Sequence, residues 1–179
     1  MHTIERLSPE AFARHVKELG VLLADVVARG ASLGFLHPFD QDAAAGWWRA
    51  RQPEVAQGLL TVWIARGPHG PGGVAGTVSL ARSVKANGAH RGEIVKLMVH
   101  PDARGRGLGR ALLDTAEQAA AQAGLTLLVL DTVTGSPADR LYDSAGWTRY
   151  GVVPGFAADP GGTLEDCSFY YKRLRAVRG

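Results

Sequence analysis

The sequence predicts an α/β (α+β) fold: a mixed, mostly antiparallel twisted sheet of about seven strands flanked by about four helices. Three observations carry that expectation. In the middle of the chain, three strand-like runs follow one another through turn-rich connections, the pattern of an antiparallel meander. A glycine-rich turn, a long amphipathic stretch and the apolar run Leu125 to Leu130 then form a strand–helix–strand unit, and such a run suits a strand buried on both faces. Helical and strand periods alternate on both sides of this centre, which sets helices on both faces of one sheet.

Each element has its own signal. Residues 2–7 read as a short first strand. Ser8 followed by Pro9 is an N-cap with proline at the first helical position. The helix behind it places Phe12, Val16, Leu19, Leu22, Leu23 and Val26 on one face and stops near Gly30. A loop from Gly30 to Phe39 follows and is apolar for a connector. Asp40 can cap a second helix carrying Ala43, Ala44, Trp47 and Trp48. Leu59 to Ala65 and Val74 to Leu80 are strands joined through the Gly- and Pro-rich segment 67–73, and Glu93 to Val99 is a third, ending at Pro101. Residues 106–123 are helical, with Leu108, Leu112, Leu113, Ala116 and Ala120 available for one face and Gly124 as the stop. Ser136-Pro137-Ala138-Asp139 opens a short helix with a cap, a proline and an acid in the first turn; Gly146-Trp147 ends it. Residues 147–153 and 167–174 read as the last two strands. No repeat, linker or shift of composition divides the chain, so residues 1–179 read as one domain.

Composition narrows the function classes. Hydrophobic residues make up 46% and charged residues 21% of the 179, which excludes a wholly disordered chain. No apolar run has the length of a membrane span, and the start Met1-His2-Thr3-Ile4-Glu5-Arg6 lacks the basic-then-apolar order of a secretory signal. The single cysteine, Cys167, excludes an internal disulfide and a multi-cysteine zinc site, and reads as a packed residue. The expectation is a cytoplasmic protein that binds no membrane. Twenty basic against 17 acidic residues give a net charge of +3, and the one dense basic cluster is Arg104, Arg106 and Arg110 among glycines. That suggests a single phosphate-bearing ligand rather than a nucleic-acid face. No His/Asp/Glu cluster has metal-ligand spacing, so no metal is implied.

The chemistry lies in Lys96-Leu97-Met98-Val99-His100-Pro101-Asp102-Ala103-Arg104-Gly105-Arg106-Gly107-Leu108-Gly109-Arg110. A strand runs into a glycine-rich turn and then into a helix N-terminus. The first N–H groups of a helix lack internal partners, the dipole adds positive potential there, and glycines admit a bulky anion. The backbone from Arg104 to Arg110 is thus a candidate pyrophosphate cradle, reinforced by arginine. It is not a nucleotide P-loop, because Gly109 is followed by Arg110 and Ala111. Nor is it a dinucleotide fingerprint, because the sixth position from Gly105 is Arg110.

The pattern Arg-x-x-Gly-x-Gly at Arg104, Gly107 and Gly109 resembles the acetyl-CoA signature of the GNAT superfamily of acetyltransferases. Val95 to Pro101 is similar to that family's central strand, and Ser136 to Trp147 to the helix after the next strand, with its Leu141-Tyr142 and Gly146-Trp147 pairs. The resemblance spans residues 59–174, and the motifs occur in the family's order. Gly30 to Phe35, Lys96 to Val99, Leu130 to Thr132 and Val153 to Phe156 also resemble segments of GNAT enzymes that acetylate a β-lactam-containing amino-acid toxin.

The resemblance implies a GNAT-like sheet and direct transfer from acetyl-CoA to a bound amine of a small acceptor, with no covalent enzyme intermediate. It also implies that the main chain of Leu97, Met98 and Val99 binds the pantetheine, with an amide of Met98 or Val99 near the acetyl oxygen. Arg104, Gly105, Arg106, Gly107, Leu108, Gly109 and Arg110 take the pyrophosphate, and Thr132, Ser136 and Tyr142 complete the donor set. The amine must lose its proton, so a carboxylate base is needed, and Glu93 and Asp131 are both candidates. In a regularly alternating strand Glu93, Val95, Leu97 and Val99 share one face, which would set Glu93 beside the site. Asp131 ends a buried strand, where ligands of α/β sheets bind. Tyr142 matches the family's tyrosine near the CoA sulfur and is the candidate general acid. His37, His90 and His100 are not needed for proton transfer.

The loop between the first two helices carries Phe35, His37 and Phe39, with Trp47 and Trp48 close behind. This aromatic content fits a lid over the acceptor, in which Phe35, His37 and Trp48 touch it; a dimer surface or core packing fits it too. A homodimer is compatible with all of this. Acetylation of protein lysine or N-terminal amines is a second reading, and an acyl-CoA-binding sensor without turnover a third. The presence of Glu93, Asp131 and Tyr142 argues against the sensor.

Overall fold

The computed structural model describes residues 2–175. Seven strands form one sheet: β1 (Thr3–Arg6), β2 (Leu60–Arg66), β3 (Val74–Arg82), β4 (Arg91–Val99), β5 (Leu127–Val133), β6 (Thr148–Ala158) and β7 (Leu164–Arg173). Their order across the sheet is β1-β2-β3-β4-β5-β7-β6. Every neighbouring pair is antiparallel except β4 with β5. The helices are α1 (Pro9–Ala28), α2 (Gln41–Arg49), α3 (Gln52–Ala56), α4 (Leu108–Gln122) and α5 (Pro137–Ser144). Four of them are those the sequence predicts; α3 is a short addition that starts at Gln52-Pro53. Among the described residues no helix is long and apolar enough to cross a membrane.

Local chemistry sets the helix ends. Ser8 Oγ accepts from the Ala11 amide, Asp40 Oδ1 from Ala43 and Ser136 Oγ from Asp139, so α1, α2 and α5 each begin on a side-chain cap. Helix α4 does not. Its N-cap is Gly107, in the left-handed region at φ 73° with no side chain to offer.

Two apolar clusters lie on opposite faces of the sheet. One joins Trp63, Val78, Leu80 and Ile94 to Leu112, Leu113 and Ala116 of α4, and continues through Leu128 and Leu130 to Tyr142 and Tyr170. The other packs Phe12, Leu19, Leu22 and Leu23 of α1 and Trp48 of α2 against Val62, Ile64 and Met98. Gly20 permits the close crossing of α1 and α2: a Cβ there would lie 2.8 Å from the Ala45 backbone.

Two features of β4 open the sheet. Its ladder with β5 runs only through Arg91, Gly92 and Glu93 against Leu127, Leu128 and Val129, and then the strands part. On its other edge, Ser79 faces Val95 while Thr77 faces Met98, so β4 carries one extra residue. This is a β-bulge. Lys96 sits in it at φ 53°, the one positive-φ residue other than glycine among those described. That conformation costs about 1–2 kcal/mol for a residue with a Cβ.

Candidate active site

The bulge overturns the expected alternation. Ile94 belongs to the α4 cluster and Val95 packs on the α1 cluster, as alternation requires. After the extra residue the sense reverses: Leu97 and Val99 pack on the α4 side and Met98 on the α1 side. Glu93 and Val95 therefore share one face, and Leu97 and Val99 share the other. In β5, Leu128 and Leu130 face the α4 side. Asp131 alternates to the α1 face and thus joins Glu93.

Where β4 and β5 part, a cavity of about 700 Å³ opens. Its volume lies within the range of small-molecule and cofactor sites. One wall is Leu97, Met98 and Val99 of β4; another is Arg104, Gly105, Gly107, Leu108, Gly109 and Arg110 at the start of α4. Thr132, Val133, Ser136 and Leu141 close it from β5 and α5, and Arg29 to Leu33 from the loop after α1. Asp159 and Glu165 of the β6–β7 hairpin complete the rim. Among the described residues the amides of Gly105 to Arg110 have no hydrogen-bond partner within the protein. With Gly105 and Gly107 both at φ 73°, the turn offers outward N–H groups with no side chain in front of them.

Most of the predicted donor-binding set therefore lines one cavity. Two members do not. The Arg106 guanidinium lies 3.0 Å from His69 Nε2, away from the cavity. Tyr142 is buried one residue beyond Leu141, its ring 5.8 Å from Trp147 and 5.9 Å from Tyr170. Arg104 Nε donates to the Val99 carbonyl and Arg110 Nε to Asp114 Oδ1, so these guanidinium groups brace the turn as well as charge it. The Thr132 and Ser136 hydroxyls lie 3.4 Å apart. Asp139 secures their turn, its carboxylate accepting from the Gly135 amide and from Tyr170. Burial pushes the Asp139 pKa up, but the hydrogen bonds outweigh it and hold the group below the ordinary range.

The titratable groups converge at the opened seam. Burial raises the pKa of Glu93, and the negative charge of Asp131 adds to it. Burial also raises Asp131, against the opposing pull of Lys96. Burial and the Asp131 charge both keep the Tyr142 phenol protonated. Cys167 is buried, and burial and nearby carboxylates push its thiol up, which leaves a packed thiol rather than a nucleophile.

The acceptor-side expectations need correction. Trp48 is fully buried, and its indole donates to the Leu19 carbonyl at 3.1 Å. It belongs to the α1–α2 core and cannot touch a ligand. Its neighbour Trp47 is part-exposed and packs edge-on to Phe35, which stacks on Phe39 at 4.2 Å between centroids. The helical period hid this, because adjacent residues of a helix point about 100° apart and only one of two tryptophans can face the core. His37 is exposed, and its amide donates to the Pro160 carbonyl, tying the loop to the β6–β7 hairpin. Lys96, to which the sequence assigns no role, reaches the same wall. Its Nζ donates to the Leu33 carbonyl at 2.7 Å and lies 5.1 Å from the Phe35 centroid and 5.0 Å from that of Trp47. The wall of Arg29 to Leu33 has a single mark in the sequence, the apolar stretch after Gly30.

Solved structures share this architecture across the whole chain. YncA of Salmonella typhimurium, determined with its cofactor acetyl-CoA, is 23% identical with a TM-score of 0.74, covering 100% of this chain and 97% of that one. A ribosomal-protein-alanine N-acetyltransferase from Brucella melitensis is 22% identical with a TM-score of 0.76, covering 96% and 99%. A structure provisionally named a phosphinothricin N-acetyltransferase is 17% identical with a TM-score of 0.76, covering 98% and 99%. At these identities the likeness is one of fold. The family model named Acetyltransferase (GNAT) family matches residues 32–147, from the cavity-lining loop after α1 to the tryptophan before β6. The Gly-Arg turn, the parted strands and the uncapped α4 all lie inside that match, and the chain belongs to the GNAT acetyltransferase family, whose acetyl donor is acetyl-CoA.

Proposed function

We propose that this enzyme transfers an acetyl group from acetyl-CoA directly to the amine of a small acceptor, an amino acid or a toxin- or antibiotic-like molecule. One observation carries the reading: Glu93 and Asp131 stand solvent-reachable on the α1 face where β4 and β5 part, both within the field of Lys96, whose ammonium also lies over the Phe35 and Trp47 rings, a compact setting that suits a small ligand better than a long peptide. The resemblance of four segments to toxin-acetylating GNAT enzymes supports the same acceptor class. The donor fits the residues present, since unpartnered amides from Gly105 to Arg110, left-handed glycines and the roughly 700 Å³ cavity suit a pyrophosphate with its pantetheine arm. We read residues 1–179 as one domain working in the cytoplasm, where its single cysteine needs no oxidising partner.

Bound acetyl-CoA supplies an activated acetyl thioester; the protein's residues do the rest. The acceptor arrives as an ammonium with a pKa of about 10.4 if lysine-like, and must become a neutral amine. Asp131 or Glu93 accepts that proton, and the raised pKa of each makes it a stronger base than an ordinary carboxylate. The amide of Met98 or Val99 stabilises the developing oxyanion. The Tyr142 phenol, kept protonated by its surroundings one residue beyond cavity-lining Leu141, donates a hydrogen bond towards the departing thiolate, which takes its proton from solvent.

Thiol release from acetyl-CoA tests the reading against amino acids, β-lactam-type dipeptide analogues, aminoglycosides, polyamines and a lysine peptide. Release that depends on a small amine supports it. Release with the lysine peptide alone transfers the activity to protein amines, and tight acetyl-CoA binding without release on any amine leaves a sensor.

We infer in addition that a second copy of the chain covers β6. Tyr150, Val152, Val153, Phe156 and Leu164 are large apolar side chains exposed on the β6–β7 hairpin, and β6 is a sheet edge. Arg149 stands at one end of the patch, with Glu165 and Asp166 at the other. A two-fold axis through the middle of β6 would set each end against its opposite charge.

A further inference from the structure

We propose that Lys96 is a positioning residue: its side chain pins the loop after α1 and the aromatic cluster of Phe35 and Trp47 to the β4 bulge, so that one ammonium holds both the cavity wall at Leu33 and the cluster beside it. The inference rests on the acetyltransferase reading for its kinetics, but not for its structural test.

Three observations meet at this residue. The backbone at Lys96 adopts a positive φ that a residue with a Cβ rarely takes, in the extra position of the bulge. That geometry aims the side chain at the α1–α2 loop. There Nζ donates to the Leu33 carbonyl, and Leu33 itself lines the cavity. The ammonium also lies about equally far from the rings of Phe35 and Trp47, within cation–π reach of both.

The charge has a second effect. Lys96 stands among Glu93 and Arg91 of its own strand, Asp131 of β5 and Arg51 beyond α2. Burial draws its own pKa down while Asp131 and Glu93 oppose that. In return its ammonium pulls the pKa of both carboxylates down, against the burial that raises them. Removing the charge should therefore raise the pKa of the base.

Hydrogen exchange of the purified enzyme tests the latch without any turnover. In Lys96→Met the amides of residues 30–39 should exchange at least about tenfold faster, because the loop opens without its tether. Lys96→Gly should do the same, and its backbone accepts the positive φ without strain, which keeps the test available where the methionine form is unstable. Where turnover is measurable, KM for acetyl-CoA and for the acceptor should rise together in both variants, and the acidic limb of kcat/KM should move to higher pH. Lys96→Arg should leave that limb in place. Exchange in residues 30–39 that stays within about twofold of the parent in both the methionine and glycine variants overturns the proposal. Absence of turnover with every amine would sink the acetyltransferase reading and leave the exchange result decisive for the latch.

Discussion

Asp131 and Glu93 lie in partly shielded surroundings that raise their carboxyl pKa values, and the sign of that shift governs both activity and stability. The unfolded chain holds these groups near their ordinary values, roughly 4. A carboxylate raised in the folded state favours folding fully at pH below its unfolded pKa, and that contribution is lost as pH rises through the folded value. Asp131→Asn and Glu93→Gln should therefore raise the melting temperature at pH 7 and change it little below about pH 4. The same variants should lower kcat/KM by about 100-fold if the residue changed is the base, a typical share for general-base catalysis. Whichever substitution abolishes the acidic limb of the pH–rate profile identifies the base. Tyr142→Phe removes the hydroxyl while keeping the ring between Trp147 and Tyr170. Its kcat should fall with little change in melting temperature, and an unchanged kcat would remove Tyr142 from the scheme.

At the scale of elements, α1 and α2 shape the proposed acceptor wall, and the paired tryptophans separate two effects. Trp48→Ala empties the α1–α2 core and should cost about 3–5 kcal/mol in a denaturant melt. Trp47→Ala removes part of the wall over the seam and should raise acceptor KM while leaving acetyl-CoA affinity intact. Gly20→Val forces the two helices apart at their 2.8 Å approach and should destabilise by about 1–3 kcal/mol. The order of strands and helices was legible in the sequence because it rests on local signals: Ser8, Asp40 and Ser136 as caps, the stop at Gly124, the apolar runs. The turn proposed for the donor's pyrophosphate was legible for the same reason, since Gly105 and Gly107 spell out a backbone that needs no side chain. The bulge was not. No glycine, asparagine or proline marks position 96, so nothing local distinguishes a bulged lysine from an ordinary strand residue, and the faces of Glu93 and Leu97 were paired wrongly. Helix α3 did carry a signal, Pro53 in its first turn followed by Glu54. The pairing of Asp139 with Tyr170 joins residues far apart in the chain and is fixed by packing alone.

At the scale of the whole molecule, among the described residues, five of the seven exposed large apolar side chains lie on the β6–β7 hairpin, and the proposed second copy predicts a monomer–dimer equilibrium in sedimentation. Val152→Glu together with Tyr150→Glu should convert a dimer to a monomer in analytical ultracentrifugation; a parent protein that sediments as a monomer at micromolar concentration removes the inference. The short parallel ladder between β4 and β5 has another consequence. Only three ladder pairs stitch β1–β4 to β5–β7; the rest of that junction is packing around Leu128, Leu130 and Tyr170 together with scattered hydrogen bonds such as Thr126 N–H to the His90 carbonyl and Trp147 and Lys172 to Glu117. Gly124 lies just before the crossing, exposed and with open space around it. A chain severed there yields two pieces, each keeping whole antiparallel strand pairs, and the cavity proposed for the acetyl donor takes walls from both. Co-expressed as separate polypeptides, the pieces should reassemble, and acetyl-CoA should tighten their association by mass action. The acetyl donor would then serve as a clasp between two halves of one protein, and a split enzyme would report its own cofactor concentration.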